Sequence, residues 1–546
     1  MKQCVYVTLV ATLLSACAAR KEKADLLIHH AMIYTADSMN TVAAAMAVKD
    51  GKILMVGTNE LVQRSFDADS VIDAKGAAVF PGFNDAHAHF FGYANSLRSV
   101  DLVGAKSWDE AVARVRDFAA EHPSAWVLGR GWDQNDWEVK TFPDKSKLDS
   151  LFPNTPVLLE RIDGHASIAN QAALDAAGVK AGQTIAGGTI ETKNGRLTGI
   201  LVDNADELVS SKIPAAPLEE IIASLEAAER NCLAAGLTSI TDCGLDLDAM
   251  HLLDTLLAQR KLHLRLNVML SDNEENISWL LKNGVYEKDR LLVRSVKFYG
   301  DGALGSRGAC LKHDYTDRPG WKGFLLKDAR YFAEKAALLA ETDIQMCTHA
   351  IGDSANGVIL KIYADALKGK NDKRWRIEHA QVVDSIDFHW FGENNIVPSV
   401  QPTHATSDMY WAKDRLGPQR VRFAYAFQQL LRQNGWLPLG TDFPVEHIDP
   451  LRTFYAAVAR KDQAGYPEGG FQPENALSRE EALKGMTIWA ARASFEEEKK
   501  GSLEPGKAAD FVVLDQDTMK VPAEKILATK VLATYIYGQA LHRAGL

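Results

Sequence analysis

The sequence predicts an α/β protein: a (β/α)8 TIM barrel, with a small β-sandwich domain formed from both termini and an insertion in the barrel. Three observations point there. Apolar strand-like runs alternate with longer helical stretches over about residues 81–495. Short strands with turn signals occupy both ends of the chain. Histidines, a lysine and an aspartate fall in or at the ends of several strand-like runs. Strand–helix alternation calls for parallel βαβ units, which are right-handed and close naturally into a barrel.

The sandwich is read from 24–80 and 496–546. Asp25 to Tyr34 is strand-like, and Ala43 to Val48 and Lys52 to Val56 flank Asp50-Gly51, a hairpin signal. Near the other end, Asp510 to Leu514 and Val531 to Tyr537 are apolar runs. Glu496-Glu497-Glu498-Lys499-Lys500 reads as a solvated linker into this domain. In the middle, Leu218 to Ala234 is helical. The expected barrel strands include Leu237 to Thr241, Val293 to Tyr299, Ile344 to His349, Trp375 to His379 and Leu437 to Asp442. Residues 100–230 exceed what two βα units need, and Gly187 to Ile200 around Asn194-Gly195 looks like a β-hairpin in an insertion.

Composition narrows the partners. The 546 residues carry a formal charge of −10 with no basic stripe, which argues against nucleic acid. A small-molecule substrate is the expected partner, and oligomeric assembly is compatible with everything read so far. Residues 1–17 form a leader: Lys2, a short apolar core over Val5 to Leu14, then Leu14-Ser15-Ala16-Cys17. The core is too short to span a bilayer and reads as a signal peptide. Its end resembles a bacterial lipobox, which implies cleavage before Cys17, lipidation of that thiol, and a protein exported and anchored to a membrane by lipid alone. An ordinary secretory signal with a chance cysteine is the other reading, and it too exports the chain. The remaining Cys232, Cys243, Cys310 and Cys347 show no CxxC spacing and read as small buried hydrophobes.

The chemistry begins at Pro81-Gly82-Phe83-Asn84-Asp85-Ala86-His87-Ala88-His89. Side chains at i and i+2 share a strand face, so His87 and His89 can reach one metal. His349 and His379 each end an apolar run, 30 residues apart, and Asp442 ends another 63 residues further on. Those spacings are about one and two βα units, and a barrel gathers its strand ends on one face. In Ser295-Val296-Lys297-Phe298-Tyr299 the apolar residues can face the helices while Lys297 and Tyr299 point to the axis. A buried lysine is costly unless paired or modified. Carboxylated by CO₂ it becomes an anionic ligand able to bridge two cations; paired with an aspartate such as Asp301 it is structural.

This set, together with Gly131-Trp132-Asp133, Asp163-Gly164-His165, Lys297 to Arg307, His349 to Asp353, Glu378-His379-Ala380 and Gly440 to Pro444, resembles the amidohydrolase superfamily. Within it the chain is similar to amidohydrolase family 3, the branch of YtcJ-like and N-substituted formamide deformylase-like proteins. The resemblance implies His87 and His89 on a first divalent metal, His349 and His379 on a second, and Lys297 as a bridge. Zinc is the expected ion, one or two of them. Asp442 would contact the metal site, accept a proton from the attacking water and deliver it to the departing amine. Hydrolysis of a non-peptide C–N bond follows. Deamination, ester-type hydrolysis, metal-dependent isomerisation and a non-catalytic surface binding role are the alternatives. His165, Trp132, Asp133, Asp301, Arg307, Gln401 and His404 are candidates to line the substrate pocket. The glycines of Gly300 to Ser306 lack phosphate-loop order and suit a loop over the barrel mouth.

Overall fold

The structure, a computed structural model, describes residues 21–545, so the leader and Cys17 lie outside the described residues. Seven barrel strands follow in chain order: β1 (Phe83–Ala88), β2 (Leu237–Leu245), β3 (Arg265–Ser271), β4 (Leu291–Tyr299), β5 (Gln345–Ala350), β6 (Arg376–His379) and β7 (Val397–Ser399). They lie side by side in that order, each parallel to the next. Every residue of β1, β5 and β6 is buried, as expected of strands covered by helices on one face and a filled barrel on the other.

The eighth position is held without a regular strand. Segment 437–442 enters the gap between β7 and β1 through single bonds. Val400 donates to the Pro438 carbonyl, Gly440 to Val400, Ala86 to Leu439 and Asp442 to His87. Pro438 has no N–H, which breaks the ladder expected over Leu437 to Asp442. Gly440 fits because it lacks a side chain: a Cβ there would stand 2.6 Å from the His87 nitrogen and 2.7 Å from its carbonyl oxygen.

Helix Leu218–Ala234 covers its predicted span, with Glu219 and Glu220 in its first turn and Leu225, Ala228, Cys232 and Leu233 turned inward. Gly236, at φ 86°, then turns the chain into β2. The insertion is a six-stranded mixed sheet built from residues 100–203, with an apolar core of its own. Its outer hairpin, Gly188–Lys193 with Arg196–Asp203, turns at Asn194-Gly195 as predicted, both residues at positive φ.

Both termini build the remaining sheets, one of four strands and one of six. The run expected over Asp25 to Tyr34 divides into Glu22–His29 and Met32–Tyr34, which join different sheets, because His30 takes φ 51° between them. C-terminal strand Phe511–Leu514 pairs antiparallel with Ala78–Pro81, one residue before β1, so the sandwich feeds directly into the barrel floor. The solvated-linker expectation needs correcting at Lys500. It is 4% exposed, pairs with Glu496 at 2.8 Å and donates to Ser239 beneath the barrel. Cys232, Cys243 and Cys347 are buried and Cys310 is half-buried; all four are free. No helix among the described residues is long and apolar enough to cross a membrane.

Candidate metal centre and active site

The strand ends converge as the sequence predicts. The His87 ring lies 5.6 Å from that of His89 and 4.8 Å from that of His379, which is 4.6 Å from His349. Asp442 reaches across this cluster. Its Oδ1 is 3.2 Å from His89 Nε2 and 3.5 Å from His87 Nε2, and its Oδ2 is 3.1 Å from His404 Nε2. Lys297, 1% exposed, places Nζ 3.3 Å from His87 Nε2. At this centre two triplets have their ligand atoms within 4.8 Å of one another: His87, His89 and Asp442, and His379, His404 and Asp442.

These groups fit a divalent cation. Burial lowers the imidazole of His87 to about 4 and pushes His349 and His379 well below the usual histidine range, so all three are neutral, the form that binds metal. Burial alone would raise the Asp442 carboxyl, but His87, His404, His89 and His379 around it hold it well below the usual carboxylate range. Its Oδ1 is buried with no hydrogen-bond partner in the protein. A buried anionic oxygen beside the His87 and His89 imidazoles is the donor set of a metal such as zinc, iron or manganese.

Partners behind the histidines fix their orientation. His87 Nδ1 lies 2.5 Å from Glu378 Oε2, leaving Nε2 for the centre. Glu378 is fully buried and paired at 2.7 Å with the equally buried Arg376, which also donates to the Ala86 carbonyl and Ser399. His379 Nδ1 is matched to Gln401 Oε1 at 2.7 Å, whereas His349 Nε2, 3.7 Å from Asp301 Oδ1, has no hydrogen-bond partner among the described residues. Above the centre opens a cavity of about 660 Å³ between the barrel mouth and the inserted sheet.

Comparison with known proteins agrees with this geometry. The profile of the amidohydrolase family (Amidohydro_3) matches residues 70–542. The chain belongs to the amidohydrolase family. It is 30% identical over 532 residues to the putative amidohydrolase YtcJ of Bacillus subtilis, covering 94% of this chain and 98% of that one. To the N-substituted formamide deformylase of Arthrobacter pascens it is 27% identical, covering 94% and 97%. To the protein LONG AFTER FAR-RED 3 of Arabidopsis thaliana it is 34% identical, covering 95% and 92%. Among solved structures it resembles an uncharacterized metal-dependent hydrolase from Pyrococcus horikoshii, with TM-score 0.75 at 27% identity, covering 91% and 99%.

Within this amidohydrolase the expected pocket residues divide. His165 and His404 line the cavity, as does Asp133. His165 Nδ1 pairs with buried Asp203 at 2.8 Å, and its ring lies 5.0 Å from that of His349. Three expectations are corrected. Trp132 is fully buried in the inserted sheet, its Nε1 donating to the Leu159 carbonyl. Arg307 points away from the cavity to Asp317, at 2.9 Å. Asp301 accepts backbone N–H bonds from Cys310, Ile351 and Gly352, so it braces the loop and His349 without meeting substrate or pairing with Lys297. Gln401 likewise stands behind His379.

The loop after β4 does cover the mouth, with Ala303, Leu304 and Gly305 in the cavity wall. Sequence reasoning missed Glu378, Asp203 and Arg161. Arg161 is 1% exposed and ties Asp133 to Asp163, so one buried guanidinium joins two of the motifs. Charged residues placed within strands, Glu160 and Arg161 in Val157–Arg161 and Arg376 and Glu378 in β6, were the available signal.

Proposed function

We propose that this amidohydrolase cleaves a non-peptide C–N bond of amide or formamide type in a small molecule, with Asp442 moving the proton. The observation carrying this reading is Asp442 itself: an ionised, buried carboxylate with an unpartnered oxygen, facing three imidazoles on the floor of a cavity sized for a small substrate. The names of two relatives, an amidohydrolase and a formamide deformylase, support the same bond class.

A divalent ion held by His87, His89 and Asp442, with His349, His379 and Lys297 available to a second, would supply Lewis acidity and ready ionisation of water. The protein does the rest. The ionised Asp442 carboxylate accepts the proton of the attacking water. As the C–N bond breaks, its electron pair leaves with nitrogen, and Asp442 returns the proton there. His404, held between Asp442 and Glu446, orients the carboxylate. The loop from Ala303 to Gly305 and the inserted sheet wall the cavity against bulk water.

We assign zinc as the expected ion, and carboxylated Lys297 as the bridge if two ions bind. Lys297 supports this because its one hydrogen-bonding neighbour is His87, and no carboxylate pairs with it among the described residues. Asp442→Asn should cost about 10²- to 10⁴-fold in kcat on a panel of N-acyl and formamide compounds, and near-full activity would sink the assignment. Metal analysis of the wild type beside Lys297→Met should find two ions falling to one or none. One ion in both proteins would make the lysine structural. Release of ammonia from amino-heterocycles in place of amide cleavage would move the reading to a deaminase.

A further inference from the structure

The cavity walls carry four basic side chains besides histidine, and three have evident employment. Arg130 is held by Glu160 and by the Pro444 and Ile162 carbonyls. Arg161 is held by Asp133 and Asp163, and Lys297 lies at the centre. The fourth, Arg452, lines the cavity beside Glu446, His447 and Ile448, and its guanidinium has no hydrogen-bond or ion-pair partner among the described residues. Its position is unfavourable on helix electrostatics. Arg452 is the third residue of helix Pro450–Ala459, where the unpaired N–H groups already concentrate positive potential. A cation placed there and left unpaired by its own protein points to an anion supplied from outside.

His447 adds a second donor. Its Nδ1 accepts the Asp449 N–H at 3.1 Å, which puts the ring proton on Nε2, and Nε2 has no partner among the described residues. His447 is exposed at the cavity rim, where partial loss of solvent and then Arg452 push its imidazole below the ordinary value, so it offers an N–H without bringing a charge of its own. The neighbouring acids are committed elsewhere. Glu446 accepts from His404 and Ser407, and Asp449 caps the helix by accepting the Leu451 N–H. Asp101 and Asp136 belong to the inserted segment and make that side of the cavity unfavourable to anions.

We propose that Arg452 and His447 form an anion subsite at the cavity mouth, and that the substrate carries a carboxylate remote from the C–N bond that is cut. The planar guanidinium takes both carboxylate oxygens and His447 Nε2–H shares one. The inference rests on the hydrolytic reading above and deepens it to a substrate class: N-acyl or N-formyl amino acids in which a spacer separates amide and carboxylate.

The test uses the metal-loaded full protein with N-formyl-ω-amino acids of increasing chain length, each beside its uncharged carboxamide. The wild type should prefer the acid about ten- to hundredfold in kcat/KM at the best length, through KM, as expected for bonds to a charged group. Arg452→Met should abolish the preference, His447→Gln should reduce it, and Arg452→Lys should keep part of it. Equal rates on acid and carboxamide in the wild type, or a preference that survives Arg452→Met, overturns the subsite. If no compound turns over, the hydrolytic reading has failed first. Calorimetric titration of the same acids into wild type and Arg452→Met then decides the subsite, with equal affinities counting against it.

Discussion

Replacing Glu378 by glutamine separates two roles that the structure gives to one carboxylate. Glu378 and Arg376 are both fully buried, and Glu378 also takes the His87 Nδ1 proton at 2.5 Å. Removing the anion strands a guanidinium in a dry interior, a change that costs about 3–5 kcal/mol when one member of a buried pair is lost. The amide oxygen can still accept one bond, and Arg376 keeps the Ala86 carbonyl and Ser399, so the lower end of that range is expected. The second loss is in metal binding. A histidine no longer backed by a carboxylate holds its ion about ten- to hundredfold less tightly, or about 1.4–2.8 kcal/mol. Competition for zinc against a chelator of known affinity measures that term, and thermal unfolding of the metal-free proteins measures the other. The double variant Glu378→Gln, Arg376→Met removes both buried charges and should restore much of the metal-free stability while leaving zinc affinity low. An unchanged zinc affinity in Glu378→Gln would refute the argument that this carboxylate sets the His87 ring.

Two further changes test other parts of the molecule. Gly440→Ala drives a methyl group to within 2.6 Å of the His87 backbone, where no flexible side chain can yield. We expect about 1–3 kcal/mol of destabilisation and reduced metal content, and a fully loaded, fully stable Gly440→Ala protein would contradict the tight closure described here. Burial pushes the Asp408 carboxyl up to about 7, against the opposing hydrogen bond from Tyr425. A folded-state value above the unfolded one means stability that is complete below about pH 4 and is lost as pH rises through 7. Metal-free Asp408→Asn should therefore match the wild type at low pH and gain on it between pH 4 and 7. A stability gap that stays constant across that window would show the carboxyl to be unperturbed.

Much of the centre was legible because strand periodicity and strand-end spacing are local. His87 and His89 needed only the two-residue repeat, and His349, His379 and Asp442 needed only their places at the ends of apolar runs. Lys297 was visible as a charge inside an apolar strand. The supporting shell was less legible because its contacts are made between distant elements. Trp132 and Arg307 sit in motifs shared with the site, but a motif does not disclose which way a side chain turns. One faces the insertion's core and the other a surface aspartate. The fully buried Arg376–Glu378 pair was missed because Glu378 reads as the mere neighbour of a ligand until His87 is brought against it from 291 positions away. The eighth strand is irregular because Pro438 has no N–H and the Leu439 and Thr441 N–H groups go to the Gly485 carbonyl and the Asp85 carboxylate.

The bond from the Asp442 N–H to the His87 carbonyl joins the two ends of the barrel where proton-handling and metal-binding groups meet. Until segment 437–442 has been made and inserted beside β1, His87 and His89 lack Asp442, and the first strand has no neighbour on that side. Completion of the ligand set and closure of the ring then fall to the same segment. An ion bound there would act as a clasp on the ring, stabilising the closed form by an amount set by its free concentration. A chelator should accordingly loosen the whole barrel and not the mouth alone. Exchange of backbone amides on β1 and β7, the strands on either side of the closing segment, would report that loosening first.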